Sequence, residues 1–552
     1  MKKLKFLSFL GLTACLLVSL ASCDPENVFE PKPIDADTLD YTWDSTKVVK
    51  INLNSTTITT TDTKKVVING STATINTKGT YDISGTLTDG QIVVNAVGIV
   101  RLILNNAVIQ SSTTSPLFIE NATKAIIILP EGTESTISDA KSYVITEDSL
   151  NSSIYSKDYL AISGLGKLTI NGNYKGAISS RDELIIENGD ITVYSVGFGI
   201  KGKDYLIIND GNFHLNCTGD GLKSDKDSTN DEGFIEINNG SFNIIAGADG
   251  ISATQNVRIN EGIINIASGG GYTVTPGIAS TKGIKAKYID IKGGTFILST
   301  SDNSIDANQN LSINGGSFSL KSGNKPLESD SLILINDGII NIQNAVKGIS
   351  SHKIHINGGA TNVYSVNDCL KATLGLDLTT DDGSYIEVNG GSLTLKTDKG
   401  DALDSNGAIK ISGGTVVVQG SSTSPDDAVS YRSTFLVTGG NLIASGAKTL
   451  SPGNGTTQNA VTIRFTTLLI PGVVINIQDA AGNSILSYKI SKYAYYLLVS
   501  LPALTTGTTY NVYTGGSVTG SELNGYFADG VYIPGTKKGS FTVNSALTSV
   551  VM

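Results

Sequence analysis

One phrase recurs along the middle of this chain and constrains its fold more than any other feature. It reads Ile-Asn-Gly-Gly-Ser-Phe-Ser-Leu at 313–320, Ile-Asn-Asn-Gly-Ser-Phe-Asn-Ile at 237–244 and Ile-Asn-Asp-Gly-Ile-Ile-Asn-Ile at 335–342. The second glycine falls at 189, 211, 240, 262, 294, 316, 338, 359, 391, 414 and 440, at intervals mostly of 21 to 23 residues with longer steps of 26, 29 and 32. A period in this range marks a solenoid, in which each repeat buries its apolar face only against its neighbours.

Within each copy, apolar residues alternate on both sides of the glycine pair, which predicts two short strands joined by a tight bend. Gly or Asn at the bend tolerates positive φ. About nine residues after the glycine comes a second phrase, such as Asp220-Gly221-Leu222-Lys223-Ser224, Asp249-Gly250-Ile251-Ser252-Ala253 or Asp368-Cys369-Leu370-Lys371-Ala372, which predicts a third strand. Three strands per turn of about 22 residues form one coil of an all-β, single-stranded parallel β-helix, with coils about 4.8 Å apart. The predicted organisation is a helix over 46–448 followed by a small antiparallel β unit over 449–552, part cap and part binding module. Segments such as Val473-Val474-Ile475-Asn476-Ile477 carry the second prediction. Composition agrees. Gly is 61 of 552 residues, Pro only 12 and charged residues 16%, and every strand interior to a ladder needs its N–H. Helical bundles are excluded by the excess of Ser, Thr, Asn and Gly. With a net charge of −10 and no basic stripe, nucleic acid is excluded as a partner.

The amino terminus reads as an address. Lys2, Lys3 and Lys5 precede the apolar stretch Phe6 to Leu20, which has the length of a signal h-region and not of a membrane span. It ends in Leu20-Ala21-Ser22-Cys23, a lipobox-like tetrapeptide. Residues 1–22 are thus expected to be a lipoprotein signal, Cys23 the lipidated residue, and 23–45 a Pro-containing tether. The expected location is the bacterial cell envelope, at the outer membrane or cell surface, with the lipid anchor as the only membrane contact and a monomer as the working form. Cys217 and Cys369 stand where other repeats carry Ala or Gly, and are expected to be buried small residues.

Because coils stack in register, equivalent positions become spatial neighbours. The corner column reads Phe198, Asp220, Asp249, Lys282, Asn303, Lys325, Lys347, Asp368, Asp401, Asp427. The column three residues on reads Lys201, Lys223, Ser252, Lys285, Asp306, Glu328, Ser350, Lys371, Asp404, Ser430. Asp220 and Asp249 are therefore adjacent, as are Asp368, Asp401 and Asp427, with Asp404 and Asp426 close by and Asp306 beside Glu328. Like charges one coil apart repel unless something intervenes. Ca²⁺, which takes six to eight hard oxygen ligands, is one solution; neutralisation of solvated corner residues by Lys371 and Arg432 is the other. A column of Asn (209, 238, 260, 314, 336, 357 and 389) is expected to form an amide ladder with a structural role. Tyr194 and Tyr364 occupy equivalent outward positions where they could stack on sugar rings. No nucleophile elbow or phosphate-cradling loop is present.

These features resemble the secreted bacterial carbohydrate-binding domain proteins with a pectate-lyase-like right-handed β-helix, typified by a clostridial cellulose- and pectin-binding protein. The Asp-Gly-Ile/Leu series carries the resemblance, with Gly400-Asp401-Ala402-Leu403-Asp404-Ser405-Asn406-Gly407, Ile411-Ser412-Gly413-Gly414-Thr415-Val416-Val417-Val418 and the tail at Thr509-Tyr510-Asn511-Val512-Tyr513. It spans most of 80–545. It implies binding of plant cell-wall polysaccharide, acidic chains included, with bound calcium and no demonstrated need for cleavage. The family's paired Asp survives at Asp426-Asp427 but becomes Asp302-Asn303 and Asn324-Lys325 in the middle coils, which leaves the 368–427 cluster as the better calcium site.

Three functions compete. The first is a non-catalytic polysaccharide-binding lipoprotein, with Ca²⁺ on Asp368, Asp401, Asp404, Asp426, Asp427, Asp220, Asp249 and Asp306, and with Tyr194, Tyr364, Lys371 and Arg432 on the glycan. The second is a calcium-dependent lyase with Arg432 or Lys371 as the base that removes the proton α to the carboxylate. The third is a structural surface adhesin.

Overall fold

A computed structural model describes residues 41–144, 150–227, 232–375 and 380–552. The signal segment, Cys23 and nearly all of the tether lie outside the described residues. Those described are all-β: one three-residue 3-10 turn, Ser45–Lys47, is the only helical element among them. Most strands join a single 47-stranded sheet, whose coil-to-coil pairings are parallel.

One coil illustrates how sequence becomes structure. Tyr205–Ile208 forms a four-residue strand, Gly211 turns the corner, Asn212–Cys217 forms a six-residue strand, Asp220 turns the next corner, and Leu222–Ser224 forms a three-residue strand. The six-residue strand alternates exposed and buried residues without a fault, as does its neighbour Ser241–Ala246. Successive six-residue strands pair residue for residue. Ile191 stands opposite Phe213, Phe213 opposite Phe242, and the column continues inward through Ile264, Phe296, Phe318 and Ile340. Phe213 and Phe242 stack at 4.7 Å, and Phe296 and Phe318 at 4.5 Å, with rings almost parallel. In-register stacking forces this geometry, because identical rotamers on identical backbones superpose with the coil repeat.

Glycine at the corner follows from close approach. Gly240 has φ +120°, and a Cβ there would meet the carbonyl oxygen of Gly211 at 3.0 Å. The small residue after each corner Asp has a different cause. A Cβ on Gly250 would lie 2.5 Å from the side chain of Ile266 inside the tube. Cys217 and Cys369 are free and buried.

The Asn column forms the expected ladder: Asn238 donates to Asn209 at 2.7 Å, Asn260 to Asn238 at 2.6 Å, Asn336 to Asn314 at 2.7 Å, Asn357 to Asn336 at 2.9 Å and Asn389 to Asn357 at 2.9 Å. It breaks once, where Lys292 takes the Asn position. There Asn314 donates instead to Asp290, and the Asn260 side-chain oxygen is buried without a partner.

The ends differ from the middle. At the amino end, the hairpins Val49–Ser55 with Thr57–Thr60 and Val66–Asn69 with Thr72–Ile75 are antiparallel before parallel stacking takes over. At the other end, Ala494–Ser500 pairs antiparallel with both Asn441–Gly446 and Ala460–Leu469, so the last coil offers no open parallel edge there. Beside it lies a six-stranded sheet containing Val474–Gln478, Ser484–Lys489, Thr509–Thr514 and Thr536–Thr542. Its core buries Val417 and Ile443, which face outward from the final coils.

The inner aromatic column contains one misfit. Thr361 continues it below Ile340, fully buried, with a hydroxyl that has no hydrogen-bond partner among the described residues. Thr361→Val keeps the shape and removes the unpaired group, so it is expected to stabilise the protein by about 1–3 kcal/mol. A higher urea midpoint for the variant is the expected result, and a lower one would contradict this view of the core.

Candidate functional site

The six-residue strands place alternate side chains on an outward sheet face bounded by two corners, the glycine corner on one side and the acidic corner on the other. The outward column nearest the acidic corner runs Tyr194, Asn216, Ile245, Ala267, Ser299, Lys321 and, after a bulge, reaches Tyr364 and Lys396. Tyr194 is 53% exposed and Tyr364 40%. Val196, Val346 and Val366 stand exposed in the adjoining turns. This is an aromatic and aliphatic rim on a sheet face that also exposes Ile263, Ile297 and Ile339. At one end the rim meets the C-terminal strands. The Tyr364 hydroxyl donates to Asp398 Oδ2 at 2.7 Å, Lys492 Nζ donates to Asp398 Oδ1 at 2.8 Å, and Gln419 Nε2 donates to the Asn524 carbonyl at 2.7 Å. Sequence reasoning missed Asp398 and Lys492. Lys492 lies 94 residues from its partner and outside the repeat, so no periodic signal points to it.

The acidic corner uses its carboxylates in a way the sequence columns do not specify. Backbone pairing stacks Asp220 on Asp249, and Asp368 on Asp401 and Asp427, as the repeat offsets require. In each step one carboxylate oxygen accepts the main-chain N–H of its successor. Asp249 N donates to Asp220 Oδ1 at 3.1 Å, Lys282 N to Asp249 Oδ1 at 2.8 Å, Asp401 N to Asp368 Oδ1 at 3.0 Å and Asp427 N to Asp401 Oδ1 at 2.6 Å. Asp426 contributes by accepting from Gly400 N at 2.9 Å.

Lysines meet several carboxylates at and beside this corner. Asp220 pairs with Lys223 at 2.7 Å, Asp427 with Lys448 at 3.3 Å and Asp249 with Lys285 at 3.9 Å, while Asp306 pairs with Lys282 and Glu328 with Lys325. Asn303 separates Asp306 from Glu328 by donating to both. Lys371 is buried; its ammonium group donates to Asp404 and, at 2.8 Å, to Asn406 Oδ1. It is committed to an ion pair inside the protein. Arg432 Nη1 donates to Ser430 at 3.3 Å and lies close enough to Asp404 and Asp427 to favour their ionised forms.

Burial outweighs these partners. It raises the carboxyls of Asp249, Asp368, Asp401, Asp404 and Asp427 above their ordinary range. Two buried oxygens, Asp404 Oδ1 and Asp427 Oδ1, have no partner among the described residues. They fit a hard cation, for which carboxylate oxygen is the natural ligand. Among the described residues, no three His, Cys, Asp or Glu side chains form a ready-made metal cage.

A family model for carbohydrate-binding domain-containing proteins matches residues 69–326 and 324–481. The chain belongs to this family. A carbohydrate-binding domain-containing protein of Acetivibrio thermocellus is 35% identical over 128 residues, 22% of this chain and 43% of that protein. The match thus spans less than half the relative's length. A solved polysaccharide lyase-like protein from C. thermocellum, in its gadolinium derivative, is 26% identical with a TM-score of 0.39, covering 45% of this chain and 96% of that one.

In this member of the carbohydrate-binding family, the buried corner carries a pH signature. Asp401 has a raised folded-state pKa, against an unfolded value of about 3.9. The folded protein therefore holds the proton across that interval, and stability falls as pH rises through it. Asp401→Asn keeps the oxygen that accepts from Asp427 N. In chelator it is expected to melt above the wild type at pH 7, with the gap closing below the unfolded pKa. Thermal unfolding at the two pH values checks this; a variant less stable at pH 7 would contradict it.

Proposed function

We propose that the protein is a non-catalytic, lipid-anchored polysaccharide-binding protein built on a right-handed parallel β-helix of about 22 residues per coil. It holds glycan chains against the outward sheet face beside the acidic corner. The observation that carries this reading is the exposure of Tyr194 and Tyr364 on one outward sheet face of a family member. A rigid tyrosine offers a large apolar ring to the C–H face of a pyranose at low entropic cost.

Calcium belongs to the proposal. Asp401, Asp404 and Asp427 would hold it, since two of their oxygens are buried and unpaired. The ion would offset their charge and leave ligand positions for backbone carbonyls, water and a uronate carboxylate. That is how an acidic protein would hold an acidic chain. The shared ion makes calcium and uronate binding mutually reinforcing, because coupling between two ligands is reciprocal. Burial of Lys371 in its Asp404 pair favours binding over a β-elimination that needs a free base near the metal. Cys23 would carry the lipid and place the sheet face at the cell surface.

Affinity electrophoresis through polygalacturonate, with calcium and with chelator, tests this. Calcium-dependent retardation with an intact polymer is expected. Tyr194→Ala and Tyr364→Ala should each weaken retention about tenfold, or about 1.4 kcal/mol. Shortened polymer would select the lyase, and unchanged mobility of the wild type would select the structural adhesin. Titration calorimetry should show calcium bound more tightly when polygalacturonate is present; equal affinity in both conditions would remove the shared ion.

A further inference from the structure

The sheet face has a second edge, at the glycine corner. There Gly189, Gly211 and Gly240 stack with φ of +150°, +131° and +120°, packed closely against one another's backbone and the inner Ile191, Phe213 and Phe242 side chains. Over this glycine floor, between two polar rims, a notch of about 450 Å³ crosses successive coils, within the size range of small-ligand sites. One rim carries Asn188, Asp210 and Asn239, the other Asp190, Asn212 and Ser241, and Leu165 and Ile263 complete the lining. Leu165 is 64% exposed and Ile263 52%. The side chains of Asp190, Asn212 and Ser241 make no hydrogen bond to any described residue. Asp210 Oδ1 accepts from Gly211 N at 2.8 Å and from Asn239 Nδ2 at 3.4 Å, so one rim is already fixed in place.

We propose that this notch is a subsite for a neutral oligosaccharide segment. The inference rests on the glycan-binding reading above and adds a second, chemically distinct contact to it. Carboxylate and amide groups are suited to hydroxyl-rich ligands, since carboxylates accept strongly and amides both donate and accept. Exposed Leu165 and Ile263 supply apolar contacts for the C–H faces of the sugar. The lining contains two carboxylates and no Lys or Arg, so a uronate or a phosphate would meet like charge. The six-residue strands Asp190–Ser195, Asn212–Cys217 and Ser241–Ala246 run from this notch to the acidic corner. The face is thus polarised, with a neutral-sugar edge and an acidic-sugar edge at opposite ends of the same strands.

The test compares wild type, Asp190→Ala/Asn212→Ala and Leu165→Ala in the full chain. Retention is measured in gels containing xyloglucan, mixed-linkage glucan, arabinoxylan or polygalacturonate. The rim substitutions lie on outward positions, and circular dichroism checks that both variants keep the fold. The expected result is a tenfold or greater loss of retention on at least one neutral glycan for both variants, with retention on polygalacturonate unchanged. Retention of both variants equal to wild type on every neutral glycan overturns the subsite. Wild-type retention by polygalacturonate alone also overturns it, while leaving the glycan-binding reading intact. No wild-type retention in any gel overturns both.

Discussion

Everything in this molecule depends on the parallel backbone ladder between coils. Each strand hydrogen-bonds to the equivalent strand of the next coil, so position in the repeat becomes position in space. The inner Ile and Phe column, the Asn ladder and the acidic corner are three consequences of one register. The same register makes the fold sensitive to any group that does not match its neighbours. Thr361 in the aromatic column and Lys292 in the Asn ladder each leave an unpaired buried oxygen nearby.

The ladder also creates an electrostatic problem, which the corner solves locally. Stacked carboxylates one coil apart would repel. Asp220, Asp249, Asp368 and Asp401 each spend an oxygen on the N–H of the next coil's corner residue, and lysines meet Asp220, Asp249 and Asp427. The arrangement neutralises most of the column without neutralising all of it. Asp404 and Asp427 each keep one buried oxygen without a partner, although each carboxylate also meets a lysine and burial disfavours its charged form. Buried carboxylate oxygens left without a donor suit a site that gains its last ligand from outside.

Much of this was legible in the sequence, for a definite reason. Register reduces tertiary structure to arithmetic on offsets. The column from Lys201 and Lys223 to Asp404 and Ser430 follows from the repeat alone, and the strand pairings reproduce it in order. What lay beyond reach depends on side-chain choice or on segments outside the repeat. Offsets say that Lys371 adjoins Asp404, but not that the pair is buried and closed by Asn406. They say nothing of Lys492 reaching Asp398, or of the antiparallel hairpins at the amino end. The glycine notch was hidden for the opposite reason: the repeat explains every one of its glycines, and only the structure shows the groove between the two rims.

A regular solenoid has few places to hold a ligand, because identical coils make identical surfaces. The outward face between the two corners is where this chain breaks its uniformity, with tyrosines, exposed aliphatics and, toward the C-terminal strands, a closed end. Hydroxyl-radical footprinting of the chain with bound polysaccharide tests that assignment most directly. Protection of Tyr194 and Tyr364, with the exposed Tyr495 of the C-terminal strands unchanged, is the expected outcome. Saturating polysaccharide that leaves both tyrosines as reactive as in the free protein would contradict the account.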